Sequence, residues 1–391
     1  MQFRFASALA ALMGVSMGSP TLMANPLIER QAQGLHDAMV AAGKEYFGTC
    51  LTLRGDSSEE SIIRSPGQFG SITPENAQKW ESVQPSRGQF TFDGADRHVN
   101  WAVEQGMQVR CHTLVWYSQL PQWVNGINDN ATLYEVMETH IHTVMGRYRG
   151  QCTHWDVVNE ALEEDGSYRD NVFLRVMGED YLPISFRMAA EADPEAKLYY
   201  NDFNLAFGEA KAEGAVRIVK LVQSWGLRID GVGLQGHMVT EPTGTQENPT
   251  PSQEVLANAL RMFTDLGVDV AYTEVDIRMN TPATPEKLEE HAAAFGRMVG
   301  ACMEVERCVG FTVWGVSDRH SWVPQTFPGE GAALLWDDNY QEKPAYQATL
   351  DAITSYEPPA AEEPVEDPVE EAEDPVEETP EDSAEPTDPA Q

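Results

Sequence analysis

The sequence predicts a single large domain of the α/β class, a (β/α)8 barrel, also called a TIM barrel. The chain has 391 residues, of which 42% are hydrophobic, and this is enough for one large core. Between residues 25 and 356, short runs rich in β-branched and aromatic residues alternate with stretches long enough to hold helices. This alternation is typical of a parallel sheet, and eight strands close such a sheet into a barrel. The alternative is an open, doubly wound sheet, but no glycine-rich phosphate loop follows the first strand.

The eight predicted strands are short and apolar, as strands covered on both faces are. In chain order they are Tyr46–Leu51, Phe69–Thr73, Met107–His112, Thr153–Glu160, Lys197–Asp202, Gly231–His237, Val270–Ile277 and Val309–Val316. Segments between them carry apolar residues at helical spacing. These predicted helices include Leu133–Tyr148, Gly214–Gln223, Gln253–Leu266 and Lys287–Met303.

Two terminal segments are predicted to lie outside the barrel domain of residues 25–356. Residues 1–24 have the pattern of a secretory signal peptide, with Arg4 near the start, an apolar stretch, and Ala24 as the small residue for cleavage. The alternative is a buried N-terminal helix. Residues 357–391 have 15 acidic residues, no Lys or Arg and no aromatic residue, so we expect a disordered acidic tail. We interpret this tail as a solvating spacer, with a linker to a further binding module as the alternative.

The charge of the chain limits its partners. The formal net charge is −36, and residues 25–356 alone carry 47 acidic and 25 basic residues, a net charge of −22. Such a surface argues against binding to nucleic acid or to anionic membranes. Beyond the signal, no segment is long and apolar enough to span a bilayer. We expect a secreted, extracellular monomer.

Five cysteines are too few for a disulfide-stapled scaffold. A local bridge between Cys302 and Cys308 suits an exported protein. Cys50, Cys111 and Cys152 have no obvious partner, and the odd number leaves at least one free thiol. Cys111 borders the predicted site as a candidate reactive thiol, but packing is the preferred interpretation.

Polar and aromatic side chains follow six of the eight predicted strands. In a barrel, the carboxyl ends of the strands meet at the one face where active sites form. The residues are Glu75, Asn76 and Lys79 after strand 2, His112, Trp116 and Gln119 after strand 3, Asn159 and Glu160 at strand 4, Gln235 and His237 at strand 6, Glu274 and Asp276 at strand 7, and Trp314 and Trp322 at strand 8. A merely solvated rim would leave the aromatic rings exposed without benefit, so the set indicates a site.

Two glutamates in this set, Glu160 and Glu274, each end an apolar run. An unpaired carboxylate in a buried strand is costly, so the pair indicates function. Glycoside hydrolysis needs an acid that protonates the leaving oxygen and a nucleophile or base on the other side of the sugar carbon. His237 is placed to bridge Glu274 and Asp276, which would keep Glu274 ionised as a nucleophile. Glu160 has apolar sequence neighbours, a setting that suits a general acid.

The remaining side chains suit sugar binding. Asn159 can donate to a sugar 2-hydroxyl, and tryptophan rings stack on pyranose faces. No His, Cys and carboxylate spacing indicates a metal, so we expect a mechanism without metal or cofactor. Two structural interpretations stay open: Asp276 as a partner of Arg278, and His237 as a buried histidine bonded to backbone.

Seven segments resemble the family 10 glycoside hydrolases, retaining endo-β-1,4-xylanases built on a (β/α)8 barrel. They are FGSITPENAQKW (69–80), CHTLVWYSQLP (111–121), WDVVNEAL (155–162), LYYNDFN (198–204), GVGLQGH (231–237), YTEVDI (272–277) and TVWGVSD (312–318). The resemblance covers nearly all of residues 25–356, in the family's order.

The resemblance implies Glu160 as acid/base and Glu274 as nucleophile, oriented by His237 and Asp276. It implies that the subsite for the reacting sugar is lined by Lys79, His112, Trp116, Asn159, Gln235, Trp314 and Trp322. It places Glu75, Asn76 and Gln119 at the next subsite toward the non-reducing end, and Phe203 as a stacking surface on the leaving-group side. It also implies the Cys302–Cys308 disulfide. The chain departs from the family at Tyr117, Cys111 and Phe203, where the family usually has His, Gly and Tyr.

The sequence thus predicts an endo-1,4-β-xylanase that acts on xylan and xylo-oligosaccharides. One rival is a β-1,4-glucanase or mixed enzyme, with Gln119 and Trp322 as candidates for crowding the CH2OH group of glucose. Such steric discrimination is worth about 1–3 kcal/mol. Another rival is a catalytically silent carbohydrate-binding protein, against which the intact Glu160 and Glu274 argue.

Overall fold

The computed structural model describes residues 34–357, which form a closed parallel barrel. The barrel strands are β1 (Tyr46–Leu51), β2 (Ser71–Pro74), β3 (Gln108–Trp116), β4 (Cys152–Asn159), β5 (Lys197–Asp202), β6 (Gly231–Leu234), β8 (Asp269–Asn280) and β9 (Cys308–Val313). Each pairs in parallel with its neighbour along the chain, and β9 pairs with β1 to close the ring. The predicted fold class is confirmed, and the doubly wound alternative is excluded by this closure.

Two short strands lie outside the ring of eight. β7 (His237–Val239) pairs in parallel with β8, and β10 (Glu330–Gly331) pairs antiparallel with the end of β8. The single predicted strand over 231–237 is therefore wrong, because the chain breaks at Gly236, whose φ of +82° belongs to the left-handed region. Strands β3 and β8 also run further than predicted, to Trp116 and Asn280.

Helices fill the connections between the strands, as a parallel barrel requires. They are α1 (Leu35–Ala41), α2 (Ser57–Ile63), α3 (Trp80–Val83), α4 (Asp93–Glu104), α5 (Gln122–Asn125), α6 (Asn130–Arg147), α7 (Val172–Met177), α8 (Tyr181–Ala192), α9 (Ala210–Ser224), α10 (Gln253–Thr264), α11 (Pro285–Glu304), α12 (Val323–Thr326) and α13 (Pro344–Thr354). Helix α11 packs on α13, and α13 contacts α1, which joins the two ends of the described chain. All four predicted helices are present.

Side-chain caps fix where several helices begin. Asp129 accepts a hydrogen bond from the Thr132 backbone N–H (2.9 Å) at the start of α6, and Thr284 caps α11 just ahead of Pro285. Each cap satisfies an N–H group that has no partner within the helix. The bounds of these helices thus follow from local sequence as well as from packing.

Two disulfides are present within residues 34–357. Cys302 and Cys308 are bonded, as expected. Cys111 and Cys152, for which the sequence showed no obvious partner, are also bonded, with Cα atoms 5.7 Å apart, so Cys111 is not a reactive thiol. This bond joins β3 to β4, and Cys50 is the one cysteine left free, buried in β1. The pairing depends on how two neighbouring strands align, which sequence spacing alone does not give.

The predicted signal at 1–24 lies outside the described residues, as does the predicted tail apart from Glu357. Between Gly34 and Glu357, none of the helices combines the length and apolar character needed to cross a membrane.

Candidate active site

The two predicted carboxylates lie at the same end of the barrel. Glu160 directly follows β4, and Glu274 lies on β8, with β5 and β6 between these strands in the sheet. Both side chains are buried, with exposures of 9% and 5%. Burial of two carboxylates requires partners for both, and their partners differ in charge.

Glu160 is held by neutral donors. Trp116 Nε1 donates to one carboxylate oxygen (2.9 Å), and Gln235 Nε2 donates to the other (3.0 Å). The Asn159 amide lies next to the Gln235 contact, within 3.3 Å of the same oxygen. These three neutral donors fix the orientation of the carboxyl group, and no cation within residues 34–357 lies within hydrogen-bond distance of it.

Glu274 lies among histidine and amide donors. His237 Nε2 is 3.4 Å from one carboxylate oxygen, and Asn201 Nδ2 donates to the other (2.7 Å). His112 Nδ1 lies 4.0 Å from that second oxygen. Burial would raise the pKa of Glu274, but the interactions with His237 and His112 outweigh it, so the pKa lies below its usual value. Glu274 is therefore held ionised.

His237 lies between two carboxylates. Its Nδ1 is 3.0 Å from Asp276 Oδ1, opposite the nitrogen that faces Glu274. Burial disfavours the charged imidazole, but Asp276 and then Glu274 outweigh that effect and raise the pKa of His237 to about 10. The pair is anchored further by Trp322, whose Nε1 donates to Asp276 Oδ2 (2.7 Å). Arg278 pairs with Glu330 (2.6 Å), so the alternative in which Asp276 serves Arg278 is not observed.

The side chains predicted for the non-reducing side form one connected group. Lys79 Nζ donates to Asn76 Oδ1 (2.8 Å), and Gln119 Nε2 approaches the same oxygen at 3.4 Å. Lys79 also lies 4.9 Å from the centre of the Trp116 ring, which places it beside Glu160's donor. Glu75 accepts from Thr52 Oγ1 (2.6 Å). This group offers amide, ammonium and carboxylate groups along one side of the carboxylate pair.

Aromatic rings close around the histidines. Trp314, which follows β9, stands edge-on to His112 and to His237, with ring centres 5.7 and 6.5 Å apart. The Trp322 ring centre lies 5.1 Å from that of His237. The structure thus brings together the site residues that were predicted after β3, β6, β8 and β9.

Phe203 directly follows β5 and contacts basic side chains. Lys211 Nζ lies over one face of its ring, 3.1 Å from the ring centre. Lys211 also pairs with Asp202 (3.1 Å), a buried carboxyl whose pKa burial raises to about 7 despite that cation. The guanidinium of Arg169 lies 5.8 Å from the Phe203 ring and 4.7 Å from that of Tyr117.

Sequence reasoning missed three residues that hold this site. Asn201 on β5 donates to Glu274 and receives a hydrogen bond from Thr273 Oγ1 (2.6 Å). Arg110 and Asp156 form a fully buried ion pair inside the barrel, and Asp156 Oδ2 lies 2.9 Å from His112 Nδ1. The signal was available, because charged residues within apolar strands need an internal partner just as strand-end carboxylates do.

Comparison with known proteins shows the same architecture and family. Residues 34–352 match the model of Glycosyl hydrolase family 10. The chain is 63% identical over 335 residues to Endo-1,4-beta-xylanase 1 of Gibberella zeae, which covers 85% of this chain and 95% of the relative. It is 64% identical over 323 residues to Endo-1,4-beta-xylanase A of Fusarium oxysporum f. sp. lycopersici, with 82% and 99% covered. A crystal structure of a GH10 xylanase from Bispora with xylobiose matches with a TM-score of 0.77 and 36% identity over 82% of this chain and 99% of that one.

Proposed function

The chain belongs to glycosyl hydrolase family 10, and we propose that it is a retaining endo-1,4-β-xylanase in which Glu160 is the acid/base and Glu274 the nucleophile. The observation that carries the assignment of roles is the difference between the partners of the two carboxyl groups. Glu274 lies against a charged imidazole that favours its ionised form, whereas Glu160 has neutral donors.

The reaction proceeds in two displacements. Glu274 attacks the anomeric carbon of the xylose unit while Glu160 gives its proton to the departing glycosidic oxygen, so that bond breaks as the glycosyl–enzyme ester forms. Glu160, now a carboxylate, takes a proton from water as the water attacks the same carbon and releases Glu274. Two inversions at one carbon retain its configuration.

The polar groups beside Glu160 and Glu274 belong to two neighbouring sugar-binding subsites. The subsite for the reacting sugar is lined by Asn159, Gln235, Lys79 and His112. The next subsite toward the non-reducing end is lined by Glu75, Asn76 and Gln119. Phe203 provides the stacking surface for the leaving group. Gln119 and Trp322 crowd the position where glucose carries CH2OH and xylose carries none, so xylo-oligosaccharides are preferred.

We also propose that the chain is exported and works as a monomer. The support for export is the pattern of residues 1–24 together with two disulfides, which persist in oxidising compartments. Size-exclusion chromatography with light scattering on the mature protein tests the monomer, and N-terminal sequencing of secreted material tests the cleavage.

The first experiment compares reducing-sugar release from beechwood xylan and from carboxymethyl cellulose by the wild type and Glu274→Ala. We expect activity on xylan alone and its loss in Glu274→Ala, with Glu289→Ala, an exposed carboxylate, as the matched control. Equal activity on cellulose would favour a mixed glycanase, and no activity on either would favour a binding protein. Proton NMR of the first product gives its anomeric configuration, and inversion would refute the retaining mechanism.

A further inference from the structure

We propose that Arg169 is the positioning residue of the acid/base, because it fixes the strained turn that carries Glu160. This inference rests on the proposed function of Glu160. Arg169 lies nine positions further along the chain and does not touch the Glu160 carboxyl group. Its contacts are with the backbone that sets where that carboxyl group points.

The backbone of Glu160 needs outside support. Its φ is +54°, in the left-handed region that residues with a β-carbon rarely occupy. Such a conformation persists when surrounding contacts determine it, and it is found preferentially at active sites. On one side the Glu160 N–H donates to the Asn201 carbonyl (2.9 Å), which ties the turn to β5.

Arg169 supplies the support on the other side. Its Nε donates to the carbonyl of Glu160 (3.2 Å), and its Nη2 donates to the carbonyl of Leu162 (2.7 Å). Its own backbone N–H donates to the carbonyl of Ala161 (2.8 Å). One residue thus satisfies three successive carbonyls, so any rotation of the Glu160 peptide would break bonds to Arg169.

The guanidinium is itself held between two loops. It lies 4.7 Å from the Tyr117 ring, after β3, and 5.8 Å from the Phe203 ring, after β5. Its Nη1 pairs with Glu163 (3.1 Å), and the side chain is 15% exposed. All three guanidinium nitrogens have a partner within the protein, so we assign Arg169 to positioning and not to substrate recognition.

Displacing the acid affects substrates unequally. A glycoside with a poor leaving group needs the proton of Glu160 as its bond breaks, whereas a 2,4-dinitrophenolate departs without one. Loss of Arg169 should therefore slow the first step for phenyl β-xylobioside and leave it nearly unchanged for 2,4-dinitrophenyl β-xylobioside. A merely structural role would slow both alike.

The test measures kcat/KM for these two substrates with the full-length wild type, Arg169→Met, Arg169→Lys and Glu160→Ala. For Arg169→Met we expect a loss of about 10²-fold on the phenyl substrate and about threefold or less on the dinitrophenyl substrate, since small misplacements cost this much. Arg169→Lys keeps the charge but has one donor nitrogen in place of three, and should recover part of the loss. Arg217→Gln is the control, because Arg217 also donates to this loop, at the Gly166 carbonyl, without contacting Glu160.

The results that would contradict the positioning role of Arg169 can be stated in advance. Equal losses on both substrates, or no loss on either, would overturn the role of Arg169. If Arg169→Met does not fold, as judged by circular dichroism, Arg169→Lys must show the same leaving-group dependence at smaller size, and its absence overturns the proposal. Glu160→Ala separates this inference from the proposed function: if that variant loses both substrates equally, the assignment of Glu160 as acid is itself wrong.

Discussion

Glu160 and Glu274 illustrate how identical side chains are given different properties by what they touch. The partners of Glu274 include an imidazole whose own pKa is raised to about 10 by Asp276 and Glu274, despite its burial. The result is a chain of alternating charge, from Glu274 through His237 to Asp276, that ends on the Trp322 N–H. The ionised state of Glu274, the proposed nucleophile, therefore depends on residues that do not react.

His237→Asn is expected to move the acid limb of the pH profile. The positive charge of His237 favours ionised Glu274, so its removal raises the pKa of Glu274 and leaves less nucleophile at low pH. We expect the acid limb of kcat/KM for an aryl xylobioside to shift upward by about one pH unit, the size typical of a lost neighbouring charge. His142→Asn, an exposed histidine near Glu191, is the control. A lower rate with an unmoved acid limb would contradict this explanation.

The convergence of the two glutamates could be predicted from the sequence, because the chemistry of a buried carboxylate alone selects these residues. Glu160 and Glu274 were found because carboxylates at the ends of apolar runs are unusual. The role of Asn201 is not predictable, because an amide within a strand has many ordinary uses and its contact to Glu274 spans 73 positions of sequence. The Arg110–Asp156 pair is predictable only in part, since a charge within an apolar strand indicates an internal partner but the sequence does not show which residue that partner is.

At the scale of elements, the break between β6 and β7 places two site residues. Gly236 separates Gln235, which donates to Glu160, from His237, which faces Glu274. A β-carbon at Gly236 would lie 2.9 Å from Val275 Cγ2 and 3.1 Å from Met298 Cε. The sequence predicts one continuous strand over 231–237, because the segment is apolar or small until its last polar residues. The pattern of apolar and polar residues does not show that Gly236 must adopt a left-handed conformation.

Gly236→Ala is expected to reduce activity more than its backbone strain would explain. Gly226 has a similar φ of +67°, but no atom lies within 4 Å of the position of an added β-carbon, and it lies in the connection between α9 and β6. Both alanine variants should lose about 1 kcal/mol of unfolding free energy from the strained φ. Only Gly236→Ala should also lose about tenfold or more in kcat/KM, because Gln235 and His237 shift together. Equal activity of the two variants would show that the break is not what places these side chains.

The two disulfides allow the contribution of loop length to be tested. Cys111 and Cys152 are 41 positions apart and join β3 to β4, whereas Cys302 and Cys308 are 6 apart. All four side chains are buried, so replacing either pair by alanine removes similar packing. From loop closure alone we expect unfolding free energy to fall by about 4 kcal/mol for the first pair and about 2 kcal/mol for the second. Urea unfolding measures both, and a reversed order would refute the loop-length explanation.

At the scale of the whole molecule, the barrel was predictable because its signal repeats. Eight apolar runs with helix-sized connections admit few topologies, and an error of a few residues at any strand end leaves the ring intact. Pairings between strands are less predictable, since the Cys111–Cys152 bond depends on an alignment of β3 with β4 that includes register shifts. The sequence therefore fixes the location of the site better than the contacts within it.

Deletion of residues 358–391 is expected to leave the enzyme unchanged on soluble xylan. The family match ends at residue 352, and the buried residues Leu350 and Ile353 of α13 complete the packing against α11. The deletion removes 14 acidic residues and changes the net charge from −36 to −22. At about 0.15 M salt the Debye length is about 8 Å, so only charges closer than this to the site would have a large effect on it. We expect kcat, KM and melting temperature to match those of the full chain. A second truncation, after Lys343, removes α13 and should lower the melting temperature sharply, which shows that the assay detects loss of packing. A large loss of activity in the shorter deletion would mean that the acidic segment contributes to substrate binding and is more than a spacer.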